Sequence, residues 1–288
     1  MSRQSGRIRV GLIGEGIGAS RTPAMHEAEG KAQGLDYSYR LIDTAGMERP
    51  DLRALLADAE AKGFAGVNVT HPFKQQVLSH VTERAPETER VGASNTVLFT
   101  ARGRTAHNTD YLGFLHAFRS ELGEKPKSRV LLLGAGGAGR AVGLALAEAG
   151  VCHLLIRDSN AAAAERLAAD IETQFPDAKA ETIAETDLAG VRPDGIVNAT
   201  PVGMVRHPGM PIARGLLEHR PWVADIVYFP LETELLKAAR EVGCATMSGR
   251  GMAVMQAVKA FALFTGVEAD PDRMAGTFDS FDVGGHAS

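Results

Sequence analysis

The sequence predicts an α/β protein of two domains, and three observations support this. Short apolar segments alternate along the chain with segments whose apolar residues recur at helical spacing. A polar break, "GEKPKS" at residues 123–128, interrupts the alternation. A glycine-rich turn follows between an apolar strand and an Ala-rich helix, and 288 residues suffice for two domains.

The first part of the chain alternates strands with helices. We assign "IRVGLIG" and "YSYRLID" to strands, and "PAMHEAEGKAQG" and "DLRALLADAEAKG" to helices that end at Gly34 and Gly63. The segments "GVNV" and "SNTVLFT" follow as strands, and a helix begins at about Asp110. This order predicts an α/β domain with a mostly parallel sheet.

The second part repeats the alternation. The strands "RVLLL", "HLLIRDS", "GIVNATP" and "WVADIVY" are interleaved with the helical segments "GRAVGLALAEAG" and "NAAAAERLAADIETQF". We predict that the last strong helix, "MAVMQAVKAFALFTG", packs back on the first domain. The predicted domains are therefore residues 1–118 completed by about 251–288, and residues 119–250.

Composition excludes several classes of function. The formal net charge is -4 and no run of Lys or Arg occurs, so we expect neither nucleic-acid nor membrane binding. The two cysteines, Cys152 and Cys244, match no zinc or disulfide pattern, and the segment "MSRQSGRIRVGLIG" is no signal peptide, which favours the cytosol. "HEAEG" lacks the second histidine of a zinc-protease motif, so we expect no metal site.

Three glycines predict a Rossmann-type dinucleotide-binding domain at residues 119–250. Gly134, Gly136 and Gly139 form GxGxxG between a strand and a helix, which is the context that this motif requires. The first glycine allows the tight turn, the second lets the backbone approach a pyrophosphate, and the third lets helix and strand pack closely. The alternative is a glycine turn that only packs a helix on a sheet.

The end of the next strand, Arg157-Asp158, indicates NAD rather than NADP. An acidic residue about 20 positions after the glycines commonly binds the adenosine ribose of NAD. The 2′-phosphate of NADP would be repelled by such a carboxylate by roughly 4 kcal/mol at ~4 Å and an effective dielectric of ~20. Arg157 could offset part of this, although in an extended strand it points to the opposite side.

The segment "GASRTPAMHEAEG" suggests a carboxylate site. Extended geometry before Pro23 would place the hydroxyls of Ser20 and Thr22 on one side and Arg21 on the other. Thr22 would be the N-cap of the helix, and two hydroxyls beside free helix amides suit a carboxylate. Plain helix capping by Thr22 is the alternative.

Lys74 stands in an unusual place in "AGVNVTHPFKQQV". Pro72 is suited to the first position of a helix, which would put Lys74 in the first turn, at the positive end of the helix dipole. A structural lysine is disfavoured there, whereas a general base must be neutral before it takes a proton. Asp110 begins a helix, and Gln256 lies in an otherwise apolar one; helix capping and burial are their simplest roles.

Taken together, these segments resemble the shikimate dehydrogenase family. The matching motifs are "SRTPAMH", "GVNVTHPFK", "GASNTV", "HNTD", "GAGGAGRA", "NATPVGM", "DIVYFP" and "GMAVMQAV", in the order of the family, from residue 11 to about 265. The resemblance implies reversible hydride transfer between a nicotinamide cofactor and a ring hydroxyl of a small cyclic carboxylic acid.

The resemblance also implies roles for particular residues. Lys74 would be the general base, and Asp110 would orient it and the substrate. The substrate carboxylate would be held by Ser20 and Thr22, and the rest of the substrate would be bound by Thr70, Asn95, Tyr228 and Gln256. The cofactor-binding residues would be Gly134, Ala135, Gly136, Gly137, Ala138, Gly139, Arg157, Asp158, Thr200, Pro201, Met204, Ile226, Gly249 and Met252.

Several departures resemble the NAD-dependent quinate/shikimate dehydrogenase branch of the family, which is similar to catabolic enzymes that act on quinate. Most biosynthetic relatives have serine where this chain has Thr22, and "NRT…R" where it has "RDSNAAA". Asp158 and Ala162 thus replace two arginines that clamp the NADP 2′-phosphate in those relatives. Tyr111 replaces the usual glycine after the aspartate.

The predicted function is therefore an NAD-dependent quinate/shikimate dehydrogenase, acting on quinate or shikimate as a monomer or homodimer. One alternative is an NADP-dependent biosynthetic shikimate dehydrogenase. Another is a sensing module that binds quinate-like molecules without turnover, which the intact Lys74, Asp110 and GxGxxG disfavour. A methylenetetrahydrofolate dehydrogenase would leave the hydroxyls of "SRTP" unexplained.

Overall fold

A computed structural model describes residues 6–283 of the chain. Its strands are β1 (Ile8–Gly14), β2 (Tyr37–Asp43), β3 (Gly66–Val69), β4 (Glu83–Arg84), β5 (Thr96–Thr100), β6 (Gly103–His107), β7 (Arg129–Leu133), β8 (His153–Arg157), β9 (Lys179–Thr182), β10 (Gly195–Asn198), β11 (Trp222–Asp225) and β12 (Thr246–Met247). Its α-helices are α1 (Thr22–Ala32), α2 (Leu52–Ala61), α3 (Pro86–Val91), α4 (Thr109–Glu121), α5 (Gly137–Glu148), α6 (Ala161–Gln174), α7 (Glu234–Glu241), α8 (Gly249–Thr265) and α9 (Pro271–Val283). Short 3₁₀ helices cover Gln76–His80, Glu185–Gly190 and Arg214–Leu217.

The described residues divide into two compact units. Unit 1 comprises residues 6–109 and 254–283, and unit 2 comprises residues 110–253. The chain passes from unit 1 to unit 2 at the start of α4 and returns within α8, both of which are continuous helices. The polar segment 123–128 therefore lies inside unit 2, after the division rather than at it.

Unit 1 contains a six-stranded sheet in the order β2-β1-β3-β5-β6-β4. Strand β1 is parallel to its neighbours β2 and β3, while β5 is antiparallel to its neighbours β3 and β6. Both faces are apolar because successive side chains of β1 point to opposite sides: Val10 packs with Phe264 of α8, and Ile13 packs with Leu56 of α2. The predicted α/β class with mostly parallel strands is confirmed.

Unit 2 contains a fully parallel sheet in the order β12-β11-β10-β7-β8-β9. Its strands are short apolar runs, as expected for strands that helices cover on both faces. The first strand, β7, has β8 on one side and β10 on the other, so the strand order reverses there. In doubly wound sheets, ligands bind at the carboxyl ends of the strands at such a point. The Rossmann-type prediction is confirmed.

The predicted helix at Pro72 is wrong. Residues 71–75 form turns, and a 3₁₀ helix, Gln76–His80, follows. The backbone N–H of Ser94 donates to the carbonyl of Lys74 at 2.8 Å, so this carbonyl is engaged by tertiary structure rather than by an α-helical ladder. Lys74 thus does not lie at the positive end of an α-helix, and the dipole argument for its position does not hold. The structure also contains β6 and α3, which the sequence did not predict because their residues, "GRTAH" and "PETERV", are mostly polar.

His26 is a buried titratable group in the core of unit 1. Its side chain is fully buried among aromatic rings, including Tyr39 and Phe261, and its Nδ1 lies 2.8 Å from the hydroxyl of Tyr37. Burial lowers the pKa of His26 to about 3, because the imidazolium would lose its hydration there. His26 is therefore neutral in the folded protein at neutral pH.

Replacing His26 with glutamine is expected to flatten the acid side of the stability profile. Unfolded histidine takes up a proton below about pH 6.5, whereas folded His26 does not, so acid favours unfolding of the wild type. Relative to His26→Gln, the wild type should lose up to about 1.4 kcal/mol per pH unit between about pH 6 and about 4. Urea denaturation at several pH values measures this, with His116→Gln, an exposed histidine, as the control. Parallel profiles for wild type and His26→Gln would contradict the interpretation.

Candidate active site

The glycine turn of unit 2 brings α5 against the sheet. Gly134 has a φ of +96°, and a Cβ there would lie 2.8 Å from the carbonyl oxygen of Ala199. A Cβ on Gly139 would lie 2.0 Å from the carbonyl oxygen of Gly134. Side chains do not fit at either position, so the tight turn and the close packing require glycine.

The start of α5 fits a phosphate group. Gly136 is the N-cap, no side chain caps the helix, and a Cβ on Gly136 would meet nothing within 4 Å. Gly136 and Gly137 are exposed, and Ala138 is half-buried. Backbone N–H groups at the positive end of a helix bind anions, so this stretch could hold the pyrophosphate of a dinucleotide.

The two residues at the end of β8 have different partners. The carboxylate of Asp158 accepts hydrogen bonds from the N–H of Ala135 at 2.6 Å and from that of Asn160 at 2.7 Å. The guanidinium of Arg157 forms an ion pair with Glu185. Asp158 is therefore fixed beside the glycine turn, while Arg157 is engaged by another carboxylate.

Asn198 shapes the loop that faces the glycine turn. Its Oδ1 accepts from the N–H of Thr200 at 3.1 Å and from the hydroxyl of Thr200 at 2.7 Å. Its Nδ2 donates to the carbonyl of Val202 and to the carboxylate of Asp225, both at 2.9 Å. Residues 198–202 are thus held in one shape from the end of β10.

Asp225 is a buried carboxylate at the end of the neighbouring strand β11. It also accepts hydrogen bonds from the hydroxyl of Thr233 at 2.7 Å and from the N–H of Val227 at 3.0 Å. Burial raises the pKa of Asp225 to about 6, and the hydrogen bonds from Thr233, Val227 and Asn198 oppose that rise. The carboxylate joins two loops that carry predicted cofactor-binding residues.

The remaining predicted cofactor-binding residues also lie in unit 2. Pro201 and Met204 are exposed on the loop after β10, and Ile226 is half-buried after β11. Gly249 is packed closely, because a Cβ there would lie 2.5 Å from the carbonyl oxygen of Ile226. Met252 is buried in the first turn of α8.

The hydroxyl-bearing segment before α1 differs from the prediction. Arg21, not Thr22, is the N-cap, and its φ and ψ of -82° and -13° are helical rather than extended. Its buried guanidinium lies over the ring of Phe278 and donates to the Phe278 carbonyl at 3.1 Å, which draws residue 21 into the helix. Ser20 and Thr22 are both half-buried, and the hydroxyl of Ser20 accepts weakly from the N–H of Thr22 at 3.4 Å.

Asp43 fixes the loop that leads to Ser20. Its carboxylate accepts from the N–H groups of Ala45 at 2.9 Å, Gly16 at 2.9 Å and Ile17 at 3.1 Å. These hydrogen bonds, first that from Ala45, lower the pKa of Asp43. The loop between β1 and α1 is thereby tied to the end of β2.

Thr70 and Lys74 follow the end of β3. The N–H of Thr70 donates to the carbonyl of Ile13 at 2.9 Å, and its own carbonyl accepts from the N–H of Phe73 at 2.8 Å. Phe73 is buried in the core beneath the turn. Lys74 is half-buried on a turn that is anchored at both ends.

Asn95 joins the end of β3 to the start of α4. Its Oδ1 accepts from the N–H of Thr109 at 2.7 Å, its Nδ2 donates to the Thr109 hydroxyl at 3.0 Å, and its N–H and carbonyl bond to His107 and Val69. Asn95 is buried, so this amide anchors the first residue of α4. Asp110 therefore follows a fixed residue and lies in the first turn of a helix that begins one residue earlier than predicted.

Tyr228 and Gln256 complete the predicted substrate-binding set. Tyr228 is 49% exposed in the loop after β11 of unit 2, and Gln256 is half-buried on α8 in unit 1. Within residues 6–283, no cluster of three or more His, Cys, Asp or Glu side chains could hold a metal ion. Over the same range no helix is long and apolar enough to cross a membrane, and the cytosolic location stays a prediction.

Comparisons with known proteins identify the family. Residues 12–97 match the model of the shikimate dehydrogenase substrate binding domain. The chain is 48% identical to a shikimate dehydrogenase (NADP(+)) of Arthrobacter sp. (strain FB24), over 96% of each chain. It is 46% identical to a quinate/shikimate dehydrogenase (NAD(+)) of Corynebacterium glutamicum (strain R), over 94% of this chain and 98% of the relative.

The chain belongs to the shikimate dehydrogenase family. The solved structure of quinate dehydrogenase from Corynebacterium glutamicum in complex with NAD superposes with a TM-score of 0.91 at 45% identity, covering 95% of this chain and 99% of that one. The chain is therefore an oxidoreductase with the two-domain fold of this family. Relatives of similar identity are named for different cofactors.

Several buried or hydrogen-bonded polar residues near the predicted binding segments were not expected from the sequence. Asp43, Asn68 and Asp225 are the clearest examples, because each hydrogen-bonds to a residue in or next to a predicted binding segment. Asn68 donates to the Thr96 hydroxyl at 2.8 Å and accepts from the hydroxyl of Tyr39 at 2.8 Å. All three lie in or at the end of a strand. A polar residue within an otherwise apolar strand segment is therefore the sequence feature that could have identified them.

Alanine substitutions at two glycines of the turn are expected to separate folding from cofactor binding. Gly139→Ala should destabilise the protein by about 2 kcal/mol or more, because the added methyl meets backbone. Gly136→Ala should leave stability nearly unchanged but weaken NAD+ binding about tenfold or more, because its methyl would enter the space for the pyrophosphate. Urea denaturation and calorimetric titration with NAD+ measure the two effects.

Gly215→Ala is the matched control in the same unit, since a Cβ there meets nothing within 4 Å. It should change neither quantity. Unaltered NAD+ affinity in Gly136→Ala would contradict the placement of the pyrophosphate.

Proposed function

We propose that this chain is an NAD-dependent quinate/shikimate dehydrogenase. The reaction oxidises the ring C3 hydroxyl of quinate or shikimate to a ketone, giving 3-dehydroquinate or 3-dehydroshikimate. The kinship with the named quinate/shikimate dehydrogenases supports the substrate class. The observation that carries the cofactor choice is the position of Asp158 beside the glycine turn.

Electrostatics favour NAD over NADP at this position. A 2′-phosphate near the Asp158 carboxylate would be repelled by roughly 4 kcal/mol at ~4 Å and an effective dielectric of ~20. Even half of that repulsion, about 2 kcal/mol, exceeds the free energy of a tenfold difference in affinity, about 1.4 kcal/mol. Arg157 could offset the repulsion, but its guanidinium is paired with Glu185, and Ala162 supplies no charge.

The chemistry proposed for the chain's own residues divides into binding and proton transfer. The hydroxyls of Ser20 and Thr22, at the start of α1, would hold the substrate carboxylate, which the positive helix terminus favours. Thr70, Asn95, Tyr228 and Gln256 would bind the rest of the substrate. Lys74 would remove the hydroxyl proton with its neutral Nζ, and Asp110 would orient Lys74 and the substrate. When bound, NAD+ accepts the hydride from the same carbon.

An NADP-dependent shikimate dehydrogenase is the second candidate, because relatives at 46% and 48% identity carry that name. The two candidates differ at the adenosine end of the cofactor site and share the oxidation of the substrate's ring hydroxyl. A comparison of cofactors therefore separates them.

Initial oxidation rates with quinate and with shikimate, each with NAD+ and NADP+, test the cofactor proposal. We expect strong rates with NAD+ and, with NADP+, at least tenfold lower kcat/KM. Asp158→Asn should raise kcat/KM for NADP+ about tenfold, because the amide keeps an acceptor for the N–H of Ala135 but removes the charge. Asp177→Asn, at an exposed carboxylate of the same unit, is the control. Equal use of both cofactors by the wild type would remove the role given to Asp158.

Lys74→Ala tests the general base. We expect kcat to fall by about 10²–10⁴-fold, which is the usual contribution of such a group, and Lys62→Ala, at an exposed lysine of the same unit, to retain activity. Near-normal turnover by Lys74→Ala would overturn the mechanism.

A further inference from the structure

Tyr111 directly follows Asp110 and is buried. Its side chain is only 1% exposed, in the first turn of α4. It is therefore not part of an open rim around a binding site. A large side chain at this position needs a structural account within unit 2.

The hydroxyl of Tyr111 donates a hydrogen bond to the carboxylate of Glu148. Glu148 is the last residue of α5, the helix whose first turn carries the glycine motif. Arg119, on the last turn of α4, donates to the carbonyl oxygen of the same glutamate at 3.3 Å. The helix that bears Asp110 is thus tied at both of its ends to one residue of the dinucleotide-binding helix.

The rest of the buried face of α4 is apolar. Tyr111, Phe114 and Phe118 follow one another at i, i+3 and i+7, the rings of Phe114 and Phe118 stack at 5.9 Å, and Phe118 meets Trp222 edge to face at 5.3 Å. Apolar packing alone permits small rotations of a helix about its axis. A hydrogen bond to a charged acceptor is directional and stronger than one between neutral groups, so it selects one rotation.

We propose that Tyr111 is a positioning residue for Asp110, acting through its hydrogen bond to Glu148. The direction of the Asp110 side chain follows the rotation of the first turn of α4, which Asn95 holds at Thr109 and the Tyr111–Glu148 bond holds on the other side of Asp110. The inference rests on the proposed function, in which the Asp110 carboxylate must be held to orient the base. Small misplacements of a reacting group reduce rates by up to about 10²-fold.

Tyr111→Phe tests the inference, because phenylalanine keeps the buried ring and removes only the hydroxyl. We expect kcat for quinate or shikimate oxidation to fall about fivefold to tenfold, KM for NAD+ to stay within about twofold, and the pH dependence of kcat to shift. Glu148→Gln keeps an acceptor and should retain most activity. The double variant should be no slower than Tyr111→Phe, because both changes act on one hydrogen bond.

Tyr37→Phe is the matched control, since it removes the phenol hydroxyl of a half-buried tyrosine that bonds to His26 in unit 1. It should lower the melting temperature by an amount similar to that in Tyr111→Phe and leave kcat and its pH dependence unchanged. A loss of kcat in Tyr37→Phe as large as in Tyr111→Phe would mean a general effect of stability and would overturn the inference.

Asp110→Asn separates this inference from the proposed function. If Asp110→Asn is inactive while Tyr111→Phe has the kcat and pH profile of the wild type, the positioning role is wrong and the proposed function stands. If Asp110→Asn turns over normally, the mechanism proposed for Asp110 fails, and the role of Tyr111 fails with it.

Discussion

The close approach of α5 to the sheet of unit 2 is the constraint on which the dinucleotide site depends. It exists because Gly139 carries no side chain where a Cβ would lie 2.0 Å from the carbonyl oxygen of Gly134. The same contact places the uncapped start of α5 at the carboxyl end of β7, where the strand order reverses. From there the N–H of Ala135 reaches Asp158, and Ala199 packs on Gly134.

Buried polar side chains hold the binding loops at the strand ends. In unit 2, Asn198 and Asp225 hydrogen-bond to each other and to backbone groups of the loops that follow them. In unit 1, Asn95 anchors Thr109, and Asp43 anchors the loop before Ser20. Burying a polar group costs free energy unless the group is hydrogen-bonded. Each network therefore restricts its loop to few conformations. Residues with predicted roles in binding are therefore carried on loops that the scaffold fixes.

In the proposed function, charge at the adenosine end of the cofactor site separates the two candidate activities, which share one fold. The carboxylate of Asp158 is fixed beside the glycine turn, and Glu185 engages the neighbouring guanidinium of Arg157. The relatives carry both cofactor names at nearly equal identity to this chain, so overall similarity does not decide between them. In the proposed function, a few charges near one ribose hydroxyl decide, because a repulsion of roughly 4 kcal/mol at ~4 Å exceeds the free energy of a tenfold change in affinity, about 1.4 kcal/mol.

The sequence by itself determined the α/β class, the Rossmann-type unit and the glycine turn, because strand and helix periods and steric demands on glycine are local properties. It did not determine the backbone around Lys74 or the N-cap of α1. Ser94 engages the carbonyl of Lys74, and Phe278, from the far end of the chain, engages the side chain of Arg21. Likewise, the polar residues that end strands were visible, but their partners were not: Asn198 and Asp225 are 27 residues apart and meet only because β10 and β11 pair in register. Such contacts join distant parts of the chain, so only the tertiary structure could decide them.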